Sequence, residues 1–280
     1  MHSLKGSDTA PIGVFDSGVG GLTVLKALQR ALPDENFLYL GDTARLPYGT
    51  KSPLTVQRYA LQAARVLVER GVKALVVACN TASAVALSAL REAYAPVPVF
   101  GVVMPGADAA VAVSRSGCIG VLATESTVRG GAYQRAILQR RPDAHVLARS
   151  APLLVTLAEE GWSSGPVPSA ILGSYLQPWL RPPTAPWALD TLLLGCTHFP
   201  LLRDLIEQVT GPGIQIVDSA DTTAAALREA LQASKAVLQS GSGQGDIQLL
   251  ATDDRVRFAR IGRHFLGRPI SPESVEIVDL

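Results

Sequence analysis

Two cysteines in this chain share a context that suits chemistry. Cys79 follows Leu75-Val76-Val77-Ala78 and precedes Asn80-Thr81-Ala82-Ser83, and Cys196 follows Leu192-Leu193-Leu194-Gly195 and precedes Thr197-His198-Phe199-Pro200. An apolar run of this length, too short to span a membrane, reads as a buried parallel strand running into a helix. Open α/β sheets bind ligands just beyond the carboxyl ends of such strands. A single cysteine in this setting is ordinarily a core residue, because free Cys is among the most buried residue types. The repetition of the whole context argues for chemistry instead. Two thiols on opposing walls of a cleft suit inversion of a carbon centre, which needs a base on one face and an acid on the other, with the roles exchanged in reverse. A free thiol titrates at about 8.5, and a position just before a helix N-terminus is one way to lower that value.

Each thiol has a candidate assistant. Asp16 ends a neighbouring apolar run and could pass a proton to and from Cys79, although a helix N-cap is an equally good reading of it. His198 lies two residues after Cys196 and could serve that thiol, or simply be satisfied within its own half of the chain. A zinc site built from Cys79, Cys196 and His198 lacks any close Cys pair. The turn Asp16-Ser17-Gly18-Val19-Gly20-Gly21 fails the dinucleotide fingerprint, because Thr23 stands where the last glycine is required. Gly49-Thr50-Lys51-Ser52 departs from the phosphate-loop pattern, because Thr50 separates the glycine from the lysine. A pyridoxal enzyme needs a Schiff-base lysine and a phosphate cradle, and no lysine follows a glycine-rich turn in that manner. The expectation is an enzyme without cofactor or metal.

The elements that must position these residues alternate strand and helix along 280 residues of which 48% are hydrophobic. Strands are expected near 11–15, 36–40, 75–78, 97–103, 118–123, 144–148, 192–195, 215–217 and 246–251, each with a helix behind it. One of those helices should run unbroken from the cap at Thr124 to about Arg140, and another from Thr222 to Gln239. The Pro- and Trp-rich stretch from Ser163 to Pro186 reads as broken helix, and Ser240 to Gly245 as a disordered loop. Such alternation implies parallel sheets with helices on both faces. The fold class is therefore α/β, with two pseudo-symmetric doubly wound domains and the active site in the cleft between them. The first domain should comprise residues 1–102 plus 215–280, and the second residues 103–214.

Net charge is +1 with a pI near 7.8 and a mean hydropathy of +0.24, and the arginines are scattered. That balance argues against nucleic-acid or membrane-surface partners. The polar start lacks the apolar stretch of a signal peptide, no run reaches spanning length, and three cysteines make no disulfide framework. A cytoplasmic location is expected.

Taken together, Asp16-Ser17-Gly18-Val19-Gly20-Gly21, Gly41-Asp42-Thr43-Ala44-Arg45-Leu46-Pro47-Tyr48-Gly49, Ala78-Cys79-Asn80-Thr81-Ala82, Gly195-Cys196-Thr197-His198-Phe199-Pro200, Val217-Asp218-Ser219-Ala220 and Ala251-Thr252-Asp253-Asp254 resemble the glutamate racemases of the cofactor-independent aspartate/glutamate racemase superfamily. The resemblance implies interconversion of L- and D-glutamate, with D-glutamate feeding peptidoglycan synthesis, in a chain that pairs as a homodimer. It makes Cys79 and Cys196 the acid/base pair, with Cys79 serving D-glutamate and Cys196 serving L-glutamate. Asp16, Glu159 and His198 become their assistants, and Ser17, Pro47, Tyr48, Gly49, Asn80, Thr81, Thr124, Thr127 and Thr197 become substrate contacts. The chain departs from the family pattern at Ala151-Pro152, where Cys-Pro is usual, at Thr156, where proline is common, and at Met104-Pro105, where Glu commonly precedes the proline. An aspartate racemase, a cysteine hydrolase using Cys196 and His198, and a two-lobed binding protein are the competing readings.

Overall fold

The computed structural model describes residues 9–180, 184–185, 187–234 and 245–280. Ten strands appear among them: β1 (Ile12–Asp16), β2 (Phe37–Gly41), β3 (Ala74–Val77), β4 (Val99–Gly101), β5 (Cys118–Ala123), β6 (His145–Ser150), β7 (Thr191–Gly195), β8 (Gln215–Asp218), β9 (Ile247–Ala251) and β10 (Val275–Ile277). They form a six-stranded sheet in the order β10-β9-β2-β1-β3-β4 and a four-stranded sheet in the order β6-β5-β7-β8. Every pairing is parallel. The expectation of an α/β fold with two mainly parallel sheets is met.

The central strands β1, β2, β3, β5 and β7 are buried along their whole length. Helices cover both faces of a parallel sheet, so its strands carry continuous apolar runs rather than alternation. Val14, Phe15, Leu75, Val76, Leu193 and Leu194 are fully buried, each worth about 1.5–3 kcal/mol relative to exposure. Helix Pro53–Glu69 shows how the layers are built. Ser52 caps it by accepting from the Thr55 N–H at 3.3 Å, Pro53 opens it, and Val56, Ala60, Ala63, Ala64 and Leu67 make its buried face. Small residues on that face let the helix lie close to its neighbour, Asn80–Ala93.

Register decides where the chemistry falls. In the larger sheet Phe15 pairs with Val77, so Asp16 and the turn carrying Cys79 leave adjacent strands at the same edge. In the smaller sheet Ala123 pairs with Gly195, which sets Thr124 beside Cys196 in the same way. The two sheets thus repeat one plan, β1 with β3 and β5 with β7.

Four expectations change. The strand Gln215–Asp218, assigned to the first domain by the boundary at 214/215, hydrogen-bonds to β7 and lies in the smaller sheet. The helix expected from Thr124 to Arg140 divides into Glu125–Gly130 and Ala132–Arg140, because Gly131 adopts φ +64°. The Pro-rich stretch contains an unbroken helix, Pro166–Leu176, since Pro166 sits in its first turn where no N–H is needed. Strand β10 was not foreseen; it adds three residues to the sheet edge beside β9. Most of the expected disordered loop, and the end of the helix expected to reach Gln239, lie outside the described residues.

Candidate active site

Both thiols open onto one cavity. It is lined by Ser17, Pro47, Tyr48, Gly49, Cys79, Asn80, Thr81, Thr124, Val155, Cys196, Thr197 and His198. Eleven of these were named from sequence, and only Val155 was not. Cys79 and Cys196 are each 5% exposed, and they reach the cavity from different sheets.

Cys79 is the N-cap of helix Asn80–Ala93, and its Sγ accepts from the Ala82 N–H at 3.5 Å. The thiol also lies 3.7 Å from the Ser17 hydroxyl. Burial and the neighbouring Asp16 carboxyl nevertheless push it up to about 12, outweighing the Ala82 N–H and Ser17. Capping alone does not produce a thiolate here; desolvation wins. A thiol held this high is a firm proton store, and its conjugate thiolate is a strong base suited to a weak carbon acid.

Asp16 is fully buried behind Ser17, and one carboxyl oxygen accepts from the Gly18 N–H at 3.1 Å. The other oxygen has no hydrogen-bond partner among the described residues. Burial raises its pKa, and the positive His198 and the turn N–H groups pull the other way. Asp16 therefore does not cap the helix that follows; Gly21 occupies that position and offers no side chain.

Cys196 follows β7, and its Sγ stands 3.8 Å from Nδ1 of His198. Nε2 of the same ring lies 3.2 Å from Glu159. Burial works to lower the imidazole pKa, but the bonds to Cys196 and Glu159 and the charge of Asp16 raise it to about 10. As an imidazolium, His198 donates from both nitrogens, toward sulfur on one side and carboxylate on the other. The bond to His198 brings the Glu159 pKa down against the effect of burial, helped by the charges of His198 and Arg257. Edge-on contact with Phe265, with ring centroids 5.1 Å apart, fixes the imidazole plane.

The glycine-rich turn that fits no phosphate-loop template has a different purpose. A Cβ on Gly20 would come within 2.5 Å of the His198 ring, so only glycine lets the β1 turn reach the second lobe. Thr23 adds a bond from its hydroxyl to the Thr197 carbonyl at 2.9 Å.

Around the thiols, hydroxyls meet across the cleft. Thr81 lies 2.9 Å from Thr124 and 3.2 Å from Thr127, and the latter two are 2.9 Å apart. Thr127 thus stands behind the wall rather than in it. Asn80 donates to Tyr133 at 2.6 Å and to Ser219 at 3.2 Å. The Tyr48 hydroxyl donates to buried Asp42, which also holds Arg45 at 2.7 Å. Among the described residues no His/Cys/Asp/Glu group has the arrangement of a metal site, and the thiols with His198 do not converge on one point as zinc ligands do.

The sequence model for Asp/Glu/hydantoin racemases matches residues 12–227. The chain belongs to that family. A glutamate racemase from Geobacter metallireducens is 50% identical over 256 residues, covering 91% of this chain and 92% of that protein. Among solved structures of family members, a glutamate racemase isoform from Bacillus anthracis superposes with a TM-score of 0.89 at 36% identity, covering 98% of this chain and 99% of that one. A Francisella tularensis glutamate racemase in complex with D-glutamate gives 0.87 at 33% identity, with 98% of each chain covered. Sequence reasoning missed Val155 in the cavity wall and Tyr133, which lies outside the wall and holds Asn80. Val155 lies in helix Pro152–Glu159, whose apolar pattern marks it only as core.

Proposed function

We propose that the chain interconverts L- and D-glutamate by passing the α-proton between Cys79 and Cys196, with no cofactor. The observation carrying this reading is that two thiols from equivalent positions of two sheets line a single cavity, each with its own proton partners. A thiolate on one face of the α-carbon takes its proton, and the C–H electron pair stays on carbon. The thiol on the opposite face then gives its proton to that carbon, so the product has inverted hand and the two sulfurs have exchanged protonation states. With Cys79 held as a thiol by burial and Asp16, the resting site is set to protonate a carbanion arising from L-glutamate. Turnover restores the other setting for the reverse direction.

Among the described residues no lysine or arginine lines the cavity. Neutral hydroxyls of Thr81, Thr124 and Thr197, with N–H groups at the start of helix Asn80–Ala93, face a substrate of net negative charge. Preorganised donors in a dry cleft stabilise the charge that grows in the transition state. The same reading keeps the first domain change after Val102, moves the second to near Asp218 because Gln215–Asp218 pairs with β7, supplies D-glutamate to peptidoglycan synthesis in the cytoplasm, and includes a homodimer.

Incubation of each enantiomer in deuterium oxide, followed by circular dichroism and proton NMR, tests the reaction. Glutamate should lose its α-proton signal as its optical activity decays, in chelator-treated buffer with nothing added. Equal turnover of aspartate, or a requirement for added pyridoxal phosphate or metal, would overturn the reading.

A further inference from the structure

Helix Arg255–Leu266 packs beside the larger sheet, against helix Leu22–Ala31. From it the Arg257 guanidinium reaches the second lobe, where Nη2 lies 3.3 Å from Oε2 of Glu159. Glu159 uses its other oxygen, Oε1, for His198. Arg257 itself does not line the thiol cavity, and its side chain is 48% exposed.

Glu159 is the last residue of helix Pro152–Glu159, and no basic residue lies in the final turn of that helix. A carboxylate at a helix C-terminus meets the negative end of the backbone dipole. The cation that offsets this repulsion comes from the other lobe. Phe265, from the same helix as Arg257, rests edge-on against the His198 ring. One helix of the first lobe therefore touches both members of the pair that serves Cys196. At Cys79 the hydrogen-bond partners are instead the Ser17 hydroxyl and the Ala82 N–H.

We propose that Arg257 is a positioning residue for the Cys196 half of the reaction. Its guanidinium locks Glu159, Glu159 aims the imidazole, and the imidazole manages the proton on Cys196 only while the two lobes are together. The assignment of this half to L-glutamate rests on the function proposed above.

Arg257→Met and Arg257→Lys, each in the full chain, test the idea by two readouts. Because enantiomers are equal in energy, kcat/KM must fall equally in both directions, by about 10- to 100-fold for the Met variant if the geometry loosens. The discriminating quantity is the isotope effect with α-deuterated substrate. Weakening Cys196 makes its proton transfer rate-limiting, so the effect should rise with L-glutamate and shrink toward unity with D-glutamate. Arg257→Lys should restore most of the rate and both isotope effects. Unchanged isotope effects for both enantiomers would overturn the proposal. A rise with D-glutamate instead would keep Arg257 in its role and overturn the assignment of hand. The ¹⁵N resonances of His198, read without substrate, should shift in the Met variant and return in the Lys variant. That arm stands even if glutamate proves not to be the substrate, and unmoved resonances would sink the positioning role by themselves.

Discussion

Gly20 and His198 sit so close that a methyl group on the glycine would fall 2.5 Å from the imidazole Nδ1. The β1 turn of one lobe is thereby the back wall for the acid/base partner of the other. Gly20→Ala must displace the ring that faces Cys196. Activity should fall by about 100-fold, the scale set by an ångström of misplacement, with the far-ultraviolet dichroism of the fold retained. Full activity in the alanine variant would mean the ring can move without consequence.

Replacing either thiol should abolish racemisation but not all chemistry. Cys79→Ser and Cys196→Ser should each lower racemisation by at least about 100-fold. Elimination of HCl from a β-chloro analogue needs only one base. Cys79→Ser should process the L-analogue and Cys196→Ser the D-analogue, and processing of the same hand by both would contradict opposed thiols. Cys118, at the opposite end of β5 and fully buried, is the control, and Cys118→Ala should retain the wild-type rate.

His198 gives a pH signature of known sign. Its pKa in the fold is about 10, above the value of about 6.5 for a free imidazole. The stability contributed by its pairings is complete below about pH 6.5 and disappears as pH rises through about 10. Urea midpoints of the wild type and His198→Asn should therefore converge across that interval. A gap that stays constant would show the imidazole to be neutral in the fold.

Tyr48 should matter more for the fold than for affinity. Its hydroxyl is committed to buried Asp42, so Tyr48→Phe leaves that carboxylate short of a donor. Hydrogen bonds to charged groups are worth about 1.5–3 kcal/mol, and a loss of that order in unfolding free energy is expected. KM for glutamate should change by less than about 3-fold, under 1 kcal/mol; a large rise would place the hydroxyl on the substrate.

The parts legible in the sequence are those written in local pattern. The runs before Cys79 and Cys196 gave the strands, the small polar residues after them gave the turns, and their repetition gave the paired sheets. What was not legible depends on segments far apart in the chain. Gln215–Asp218 has the same pattern whether it pairs with β7 or with a strand of the first sheet, and only three-dimensional neighbours decide. The reach of Arg257 to Glu159 is likewise a contact across a long separation. The turn at Gly18-Val19-Gly20-Gly21 read only as a failed phosphate-loop template, and its close approach to the His198 imidazole appears only in the fold.

The two halves of the site match in sulfur and differ in everything around it. Cys79 sits among a helix N-terminus, Ser17 and a buried carboxyl, while Cys196 faces an imidazole. Where β1 ends in Asp16, its counterpart β5 runs into Thr124. An electrophilic inhibitor entering this cavity consequently meets two targets of unlike reactivity at nearly the same depth. Warheads that need a cation beside the attacked sulfur will label the second lobe, and those that tolerate a desolvated neutral thiol will find the first.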